Sequence, residues 1–182
     1  GDRVAVLGAG PIGMLIAQAA RVWGAASVVT TDVYDAALQC ACDLGVDGAI
    51  DGRDVRPVDV MDALASETGT DSLNTVFDTT GDLALQQGAL RKLAPGGTLM
   101  LMAGAADGLE LDTASLAGER IVTTSSNNLP EDFARGLELV ASREIVVEPM
   151  ITHVFDLSEA ERAFEVAGDK HETGAIKVII HP

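Results

Sequence analysis

The sequence has few basic residues. Its 182 residues include 12 lysines and arginines against 28 aspartates and glutamates, which gives a formal net charge of −16. Nucleic-acid binding requires a basic face that displaces counterions from phosphates, so this balance argues against nucleic acid and equally against an anionic membrane surface. No uncharged run approaches the length that crosses a bilayer, and the first residues do not resemble a signal peptide. We therefore expect an acidic, self-repelling surface and neither nucleic-acid nor membrane partners.

Cysteine and histidine are scarce as well. Cys40 and Cys42 stand two residues apart in a helical stretch, where they do not face each other, and a metal site would need a second pair. We interpret both as helix-packing residues in a reducing compartment, the cytoplasm. The histidines His153, His171 and His181 are scattered, with no cysteine or acid at ligand spacing. No nucleophile motif such as G-x-S-x-G occurs, so the sequence predicts neither metal ligands nor catalytic residues within this chain.

Apolar strands alternate with helical stretches along most of the chain. Strands are predicted at residues 3–7, 27–31, 49–50, 74–78, 98–102 and 120–124. Strands separated by helices of this length form βαβ units, which require parallel pairing. The pattern therefore predicts an α/β Rossmann fold with a doubly wound, six-stranded parallel sheet over residues 1–145. Residues 146–182 form a C-terminal segment whose last strand, 175–180, is expected to join a second domain.

Four local features are also predicted from sequence. Pro95-Gly96-Gly97 is a stop-and-turn signal that closes the fourth helix. Residues 148–155 are expected to be extended. Residues 158–161 resemble a capping box that opens a helix. The stretch from 105 to 119 is the least regular, and we expect a loop there.

The motif G-x-G-x-x-G occurs at Gly8, Gly10 and Gly13, directly after the first strand and at the start of a helix. In this context it is a dinucleotide-binding fingerprint. Gly8 allows the tight turn, Gly10 lets the backbone approach a pyrophosphate, and Gly13 lets the helix pack on the sheet. The pyrophosphate would meet free N–H groups at the helix N-terminus, and Pro11 is compatible with the first helical turn. Without a ligand, the motif would be only a glycine-rich turn.

Asp32 ends the second predicted strand, 19 residues beyond Gly13. A carboxylate there can accept hydrogen bonds from the adenosine ribose hydroxyls, and it would repel a 2′-phosphate. The residues Val33-Tyr34-Asp35 that follow supply no arginine that could bind such a phosphate. The sequence therefore predicts NAD rather than NADP as the cofactor.

Several motifs together closely resemble those of the medium-chain alcohol dehydrogenases, and among these the polyol branch that includes sorbitol and threonine dehydrogenases. The resemblance spans essentially the whole chain. The matching segments are Gly8 to Met14, Asp32, Val76 to Gly81, Pro95 to Gly97, Met150 to Ala160 and Ala175 to Ile179.

The resemblance implies a set of cofactor contacts. Gly10, Pro11 and Ile12 would meet the pyrophosphate, and Asp32 the adenosine ribose. Further contacts on the adenosine side would come from Thr79, Thr80 and Gly81. Contacts near the nicotinamide would come from Ala103, Gly104 and Ala105. The carboxamide would be held by the main chain around Thr123, Thr124 and Ser125. Lys177 matches a basic position that touches the pyrophosphate in some relatives, although it is equally compatible with an exposed lysine on an edge strand.

The resemblance also implies a parent protein with a zinc-bearing catalytic domain that is absent from this sequence. The chain alone is then expected not to be catalytic, while the parent would transfer a hydride from a polyol or secondary alcohol to NAD. Two alternatives remain open: a zinc-free NADPH-dependent quinone or enone reductase, and a non-catalytic NAD-binding module. A homodimer or tetramer is expected through the strand near 120–124, unless Glu119 and Arg120 blunt that edge and leave a monomer.

Overall fold

The computed structural model describes residues 1–104 and 108–182, and its main feature is a six-stranded sheet. The strands are β1 (Arg3–Leu7), β2 (Ser27–Asp32), β3 (Gly48–Asp51), β4 (Leu73–Asp78), β5 (Leu93–Leu101) and β6 (Ile121–Thr124). Every neighbouring pair is parallel, and the strand order is β3-β2-β1-β4-β5-β6. This order confirms the predicted Rossmann-type sheet, in which the direction of winding reverses between β1 and β4.

Helices connect the strands of the sheet. They are α1 (Pro11–Val22), α2 (Asp35–Asp43), α3 (Pro57–Glu67) and α4 (Leu83–Lys92), followed after β6 by α5 (Pro130–Ala141). Proline starts α1, α3 and α5, since its missing N–H costs nothing in the first turn. Asp82 caps α4 by accepting a hydrogen bond from the Leu85 N–H at 2.9 Å, as N-terminal carboxylates commonly do. Over the ranges described, no helix is long and apolar enough to cross a membrane.

Two apolar cores lie on opposite faces of the sheet, as the alternation of side chains along β1 shows. Val4 and Val6 pack into one core together with Met14 of α1. Ala5 and Leu7 point to the other face, in the same core as Met61 of α3. Successive side chains of a strand therefore point to opposite faces of the sheet, and helices cover both faces. This packing holds the strands in place, and with them the strand ends at which the site lies.

The structure departs from the sequence predictions at several local points. The segment Pro95 to Gly97 is not a turn that precedes the fifth strand. It lies within β5, where the pairing is irregular between the pairs Leu73–Leu93 and Thr75–Thr98. Gly96 there has φ 72°, and its N–H donates to the Gly118 carbonyl at 2.7 Å.

Other corrections concern the C-terminal half and the cysteines. Residues Glu148–Met150 form a 3₁₀ turn and are not extended. The predicted capping box does not form, because the next helix begins only at Ala160 and no side chain caps it. Cys40 is buried as expected, but Cys42 is exposed.

The C-terminal segment forms a small unit of its own secondary structure. Its elements are β7 (Ile151–Asp156), α6 (Ala160–Gly168), α7 (Lys170–Thr173) and β8 (Lys177–His181). β7 and β8 pair in parallel as a separate two-stranded sheet. The segment also contacts the Rossmann unit through Gln18 of α1. The Gln18 side-chain amide donates to the Val146 carbonyl at 3.0 Å and accepts from the Val146 N–H at 2.8 Å. Met150 is buried in the same core as Met14. The division at residue 145 stays a prediction.

Candidate cofactor-binding site

A cavity of about 470 Å³ lies where the Gly8 turn meets the carboxyl ends of β2 and β4. In open α/β sheets, ligands bind at this edge, next to the point where the winding reverses. Six of the residues predicted from sequence line the cavity: Gly8, Gly10, Pro11, Asp32, Thr79 and Thr80. The fold therefore brings together the glycine turn, the acid after β2 and the threonines after β4, which are far apart in sequence.

The three glycines of the turn have different surroundings. Gly8 has φ 96°, and a Cβ built on it would lie 2.5 Å from the Thr79 hydroxyl oxygen. A Cβ on Gly13 would lie 1.9 Å from the Gly8 carbonyl oxygen, so the helix can start here only with glycine. By contrast, among the described residues no atom beyond the chain neighbours lies within 4 Å of a Cβ built on Gly10. The backbone at Gly10 thus borders open space in the cavity, which would accommodate the pyrophosphate of a dinucleotide.

The N-terminus of α1 faces this space. Gly10 is its N-cap residue, and no side chain caps the helix. The first N–H groups of an α-helix have no partner within the helix, and together with the helix dipole they favour an anion. An acidic residue is also missing from the first turn of α1. The residues present therefore fit a bound phosphate group.

Asp32 is held rigidly at the end of β2. One carboxylate oxygen accepts a hydrogen bond from the Ala9 N–H at 2.7 Å, within the glycine turn. The other accepts from the N–H groups of Val33 at 2.7 Å and Tyr34 at 3.0 Å. A carboxylate offers about four lone-pair directions, and these three hydrogen bonds leave one free, so Asp32 can fix the glycine turn and still accept a hydrogen bond from a hydroxyl such as that of a ribose.

A buried carboxylate organises the turn after β4. Asp78 has no exposed surface, and it accepts hydrogen bonds from the Thr80 hydroxyl at 2.6 Å and the Gln86 amide at 2.6 Å. The N–H groups of Thr80 and Gly81 also donate to it. Next to it, the Thr79 hydroxyl donates to the Leu7 carbonyl at 2.8 Å, which ties this turn to the end of β1. Sequence reasoning placed Asp78 in a motif but missed its role in shaping the cavity wall.

The other predicted residues that the structure describes lie outside the cavity lining. Ile12 is 61% exposed. Gly81 packs against the turn after β5, since a Cβ on it would lie 2.9 Å from the Gly104 carbonyl oxygen; Ala103 lies in the same turn, and Ala105 lies outside the described residues. Thr123 and Thr124 pair with Met100 and Leu101, and Ser125 follows them as an exposed residue.

The structure adds lining residues that the sequence did not indicate. Lys170, Gly174, Ala175 and Ile176 reach the cavity from the C-terminal segment. Lys177, the basic residue predicted there, instead lies exposed at the start of β8. No local pattern around Lys170 marks it as a cavity residue, because its position depends on how the C-terminal segment folds back onto the sheet.

The sequence predicts no metal ligands in this chain. Among residues 1–104 and 108–182, no three His, Cys, Asp or Glu side chains are grouped closely enough to hold a metal ion. Those residues therefore do not fit a zinc ion.

Comparison with known proteins identifies the family. The family model described as zinc-binding dehydrogenase matches residues 11–142. Sorbitol dehydrogenase of Gallus gallus is 32% identical over 165 residues, which cover 91% of this chain and 46% of that protein. The chain spans about half the length of the curated relatives it matches.

Solved structures give the same result. Alcohol dehydrogenase TADH from Thermus sp. ATN1 superposes with a TM-score of 0.82 at 28% identity, over 100% of this chain and 51% of that one. A short chain alcohol dehydrogenase from E. coli CFT073, solved in complex with NADH, gives a TM-score of 0.86 at 25% identity, over 100% of this chain and 52% of that one. The fold and the glycine-turn cavity define a Rossmann-type α/β unit. The chain belongs to the zinc-binding dehydrogenase family.

Proposed function

We propose that this chain is the NAD-binding part of a dehydrogenase that transfers a hydride from a polyol or secondary alcohol to NAD. One observation carries the proposal: Asp32, the glycine turn and the uncapped N-terminus of α1 border the same cavity. Sorbitol and alcohol dehydrogenases among the relatives support the reaction class, as does the NADH complex of the E. coli enzyme.

Each cavity element has a role in binding the cofactor. The backbone at Gly10 and the N-terminus of α1 bind the pyrophosphate, and Asp32 accepts a hydrogen bond from the adenosine ribose. Thr79, Thr80 and Gly81 lie along the adenosine half. The nicotinamide half is bound by the turn after β5 and by the end of β6, through Ala103, Gly104, Ala105, Thr123, Thr124 and Ser125. Lys177 is a further proposed contact to the pyrophosphate.

The chemistry is divided between the cofactor and the protein. Bound NAD supplies the hydride acceptor, and the chain's own residues bind it and orient its ring. We place zinc, which would act on the substrate oxygen, in the part of the parent protein that this sequence does not include. The chain alone is therefore expected to bind NAD without turning over an alcohol.

The proposal extends to the substrate, assembly and compartment of the parent protein. Its substrate is a small alcohol or polyol, and it assembles as a homodimer or tetramer. The cytoplasm is its compartment, in keeping with two free thiols, Cys40 and Cys42.

Calorimetric titration of the purified chain with NAD and, separately, with NADP tests the proposal. We expect NAD to bind and NADP to bind much more weakly, because Asp32 repels a 2′-phosphate. Preference for NADP would contradict the role given to Asp32. Failure of both to bind, in a chain whose circular dichroism shows it folded, would contradict the proposed site as a whole.

A further inference from the structure

An arginine lies close to the position where the 2′-phosphate of NADP would have to fit. In the sheet, Asp51 of β3 pairs directly with Asp32 of β2, and Arg53 follows two residues later. Arg53 lines a recess of about 310 Å³ that shares Val33 and Tyr34, the residues directly after Asp32, with the main cavity. A phosphate on a ribose bound by Asp32 would lie beside this recess, because Val33 and Tyr34 line both spaces. Arginine is the side chain that accommodates such a phosphate in NADP-binding domains.

The guanidinium of Arg53 is already occupied by two carboxylates. Its Nε donates to both oxygens of Asp51, at 3.0 and 3.1 Å. Its Nη1 donates to Asp35 at 3.2 Å. Its Nη2 donates to Asp35 at 2.5 Å and to Asp51 at 2.6 Å. All three guanidinium nitrogens are therefore engaged in charge-assisted hydrogen bonds, the kind in which arginine binds carboxylate and phosphate alike.

The charge around this recess opposes a phosphate as well. Asp32, Asp35 and Asp51 bring three carboxylates to this region, against the two cations Arg53 and Lys170. The hydrogen bonds that Arg53 donates to Asp51 and Asp35 raise the pKa of Arg53 above its ordinary value, and the same bonds to Asp51 lower the pKa of that carboxyl. Both groups are thus charged over the physiological range, and the cluster stays net negative.

We propose that Asp35 and Asp51 determine cofactor specificity, because they engage the guanidinium of Arg53 and so withhold it from the 2′-phosphate of NADP. Selection for NAD then has two parts. Asp32 accepts a hydrogen bond from the unmodified ribose, and Asp35 and Asp51 keep the guanidinium of Arg53 from binding the 2′-phosphate of NADP. Specificity can be achieved by interactions that disfavour the competing ligand, and an arginine that is already paired with carboxylates disfavours NADP in this way. This inference rests on the proposed function, since it concerns the same cavity.

Asp35 is the residue to change first. Its side chain is 78% exposed and opens α2, whereas Asp51 lies within β3 and also accepts a hydrogen bond from the Arg53 N–H at 2.9 Å. Replacing Asp35 with serine removes one partner of Arg53 and leaves the strand intact. Asp62→Ser is the matched control, because it removes the same charge from another ion pair, Lys92–Asp62, whose residues do not line either cavity.

The experiment is calorimetric titration of the folded chain with NAD and NADP, repeated with 5′-AMP and 2′,5′-ADP to isolate the adenosine half. We expect Asp35→Ser to strengthen NADP and 2′,5′-ADP binding about tenfold, with NAD and 5′-AMP changed little. Asp32→Ser should weaken NAD, and the Asp32→Ser/Asp35→Ser pair should prefer NADP. Adding Arg53→Met should abolish the gain.

Three outcomes overturn the inference while the wild-type chain still binds NAD. The first is no gain in NADP binding from Asp35→Ser. The second is a gain that survives Arg53→Met, which would assign it to a different basic residue that lines the recess, such as Lys170. The third is an equal gain from Asp62→Ser, which would assign it to net charge alone. If the wild-type chain binds neither dinucleotide, the proposed function fails, and this inference fails with it.

Discussion

Gly10 and Gly13 stand three residues apart in one motif, yet glycine is required at each for a different reason. At Gly13, a methyl group would lie 1.9 Å from a backbone carbonyl oxygen of the same turn. That contact exists in the folded chain whether or not a ligand is bound. At Gly10, a methyl group would meet no atom of residues 1–104 and 108–182 within 4 Å, apart from its chain neighbours. Its methyl group would clash only with a ligand in the cavity. Substitution of Gly13 therefore tests folding, whereas substitution of Gly10 tests ligand binding.

We predict that Gly13→Ala destabilises the fold, while Gly10→Ala chiefly weakens NAD binding. Gly13→Ala should lower the free energy of unfolding by about 3 kcal/mol, because backbone atoms must shift to admit the methyl group. Gly10→Ala should cost about 1 kcal/mol at most, since alanine is a poorer N-cap than glycine. It should weaken NAD binding about tenfold or more, because its methyl group occupies the space next to the pyrophosphate.

Thermal unfolding and calorimetric titration measure the two effects on the same pair of variants. A loss of about 1 kcal/mol shifts the Tm of a chain of this size by about 2–4 °C, so the two variants are easily separated. A Gly10→Ala chain that binds NAD as tightly as wild type would contradict the placement of the pyrophosphate at this turn.

At the scale of elements, Asp47 joins three parts of the Rossmann unit. It lies in the loop between α2 and β3, and its carboxylate accepts hydrogen bonds from Arg21 of α1 at 2.5 Å and from the Val28 N–H of β2 at 2.7 Å. Partial burial raises the pKa of Asp47, but the hydrogen bonds from Val28 and Arg21 outweigh this, and the pKa lies below its usual value. The charged form therefore stabilises the junction of α1, β2 and β3.

The lowered pKa predicts how this contribution depends on pH. A carboxyl group whose pKa is lower in the folded state stabilises the fold above its unfolded-state pKa, about 3.9. That contribution is lost as the pH falls through the folded-state value. The free energy of unfolding of the wild type should therefore exceed that of Asp47→Asn by about 1 kcal/mol at pH 7 and pH 5, a value reduced because the ion pair is partly exposed. This difference should shrink below about pH 4.

Urea unfolding of both proteins between pH 7 and pH 3 measures this difference. In an Arg21→Met background the pH-dependent part should be smaller, because one of the two donors to Asp47 is gone. A difference between wild type and Asp47→Asn that stays constant down to pH 3 would be incompatible with a lowered pKa.

At the scale of the whole molecule, the sequence is sufficient to predict the sheet and six of the residues that line the cavity. Period and spacing predict β1 to β6, because strands covered on both faces are apolar runs bounded by turns. The motif spacing also placed Gly10 and Asp32 at one edge. The early start of β5 was missed, since it depends on Leu93 pairing with Leu73 across an irregularity.

Long-range contacts account for the other omissions. Lys170 reaches the cavity, and Arg53 reaches Asp35, only through tertiary packing that has no local sequence signature. Residues 33–35, directly after Asp32, contain no arginine, and Arg53 lies instead on the loop after β3, where the local sequence does not connect it to Asp32.

The edge strand β6 leads to a prediction about assembly. Among the described strands, β6 pairs with β5 alone and ends the sheet, and Ile121 on it is 51% exposed. Arg120 does not shield this edge, because its Nε donates to the Leu93 carbonyl at 2.9 Å. An open, apolar edge is a template for pairing with another chain. We predict a dimer through β6 that Ile121→Lys converts to a monomer.

Size-exclusion chromatography with light scattering at micromolar concentration measures the mass of the wild-type chain and its variants. Leu129→Lys is the control, because Leu129 is 59% exposed but lies before α5, outside the sheet edge. It should leave the dimer intact, since only the residues of β6 would meet across the interface. A wild-type monomer, or a dimer lost equally in both variants, would show that β6 is not the contact and that the open edge is protected in another way.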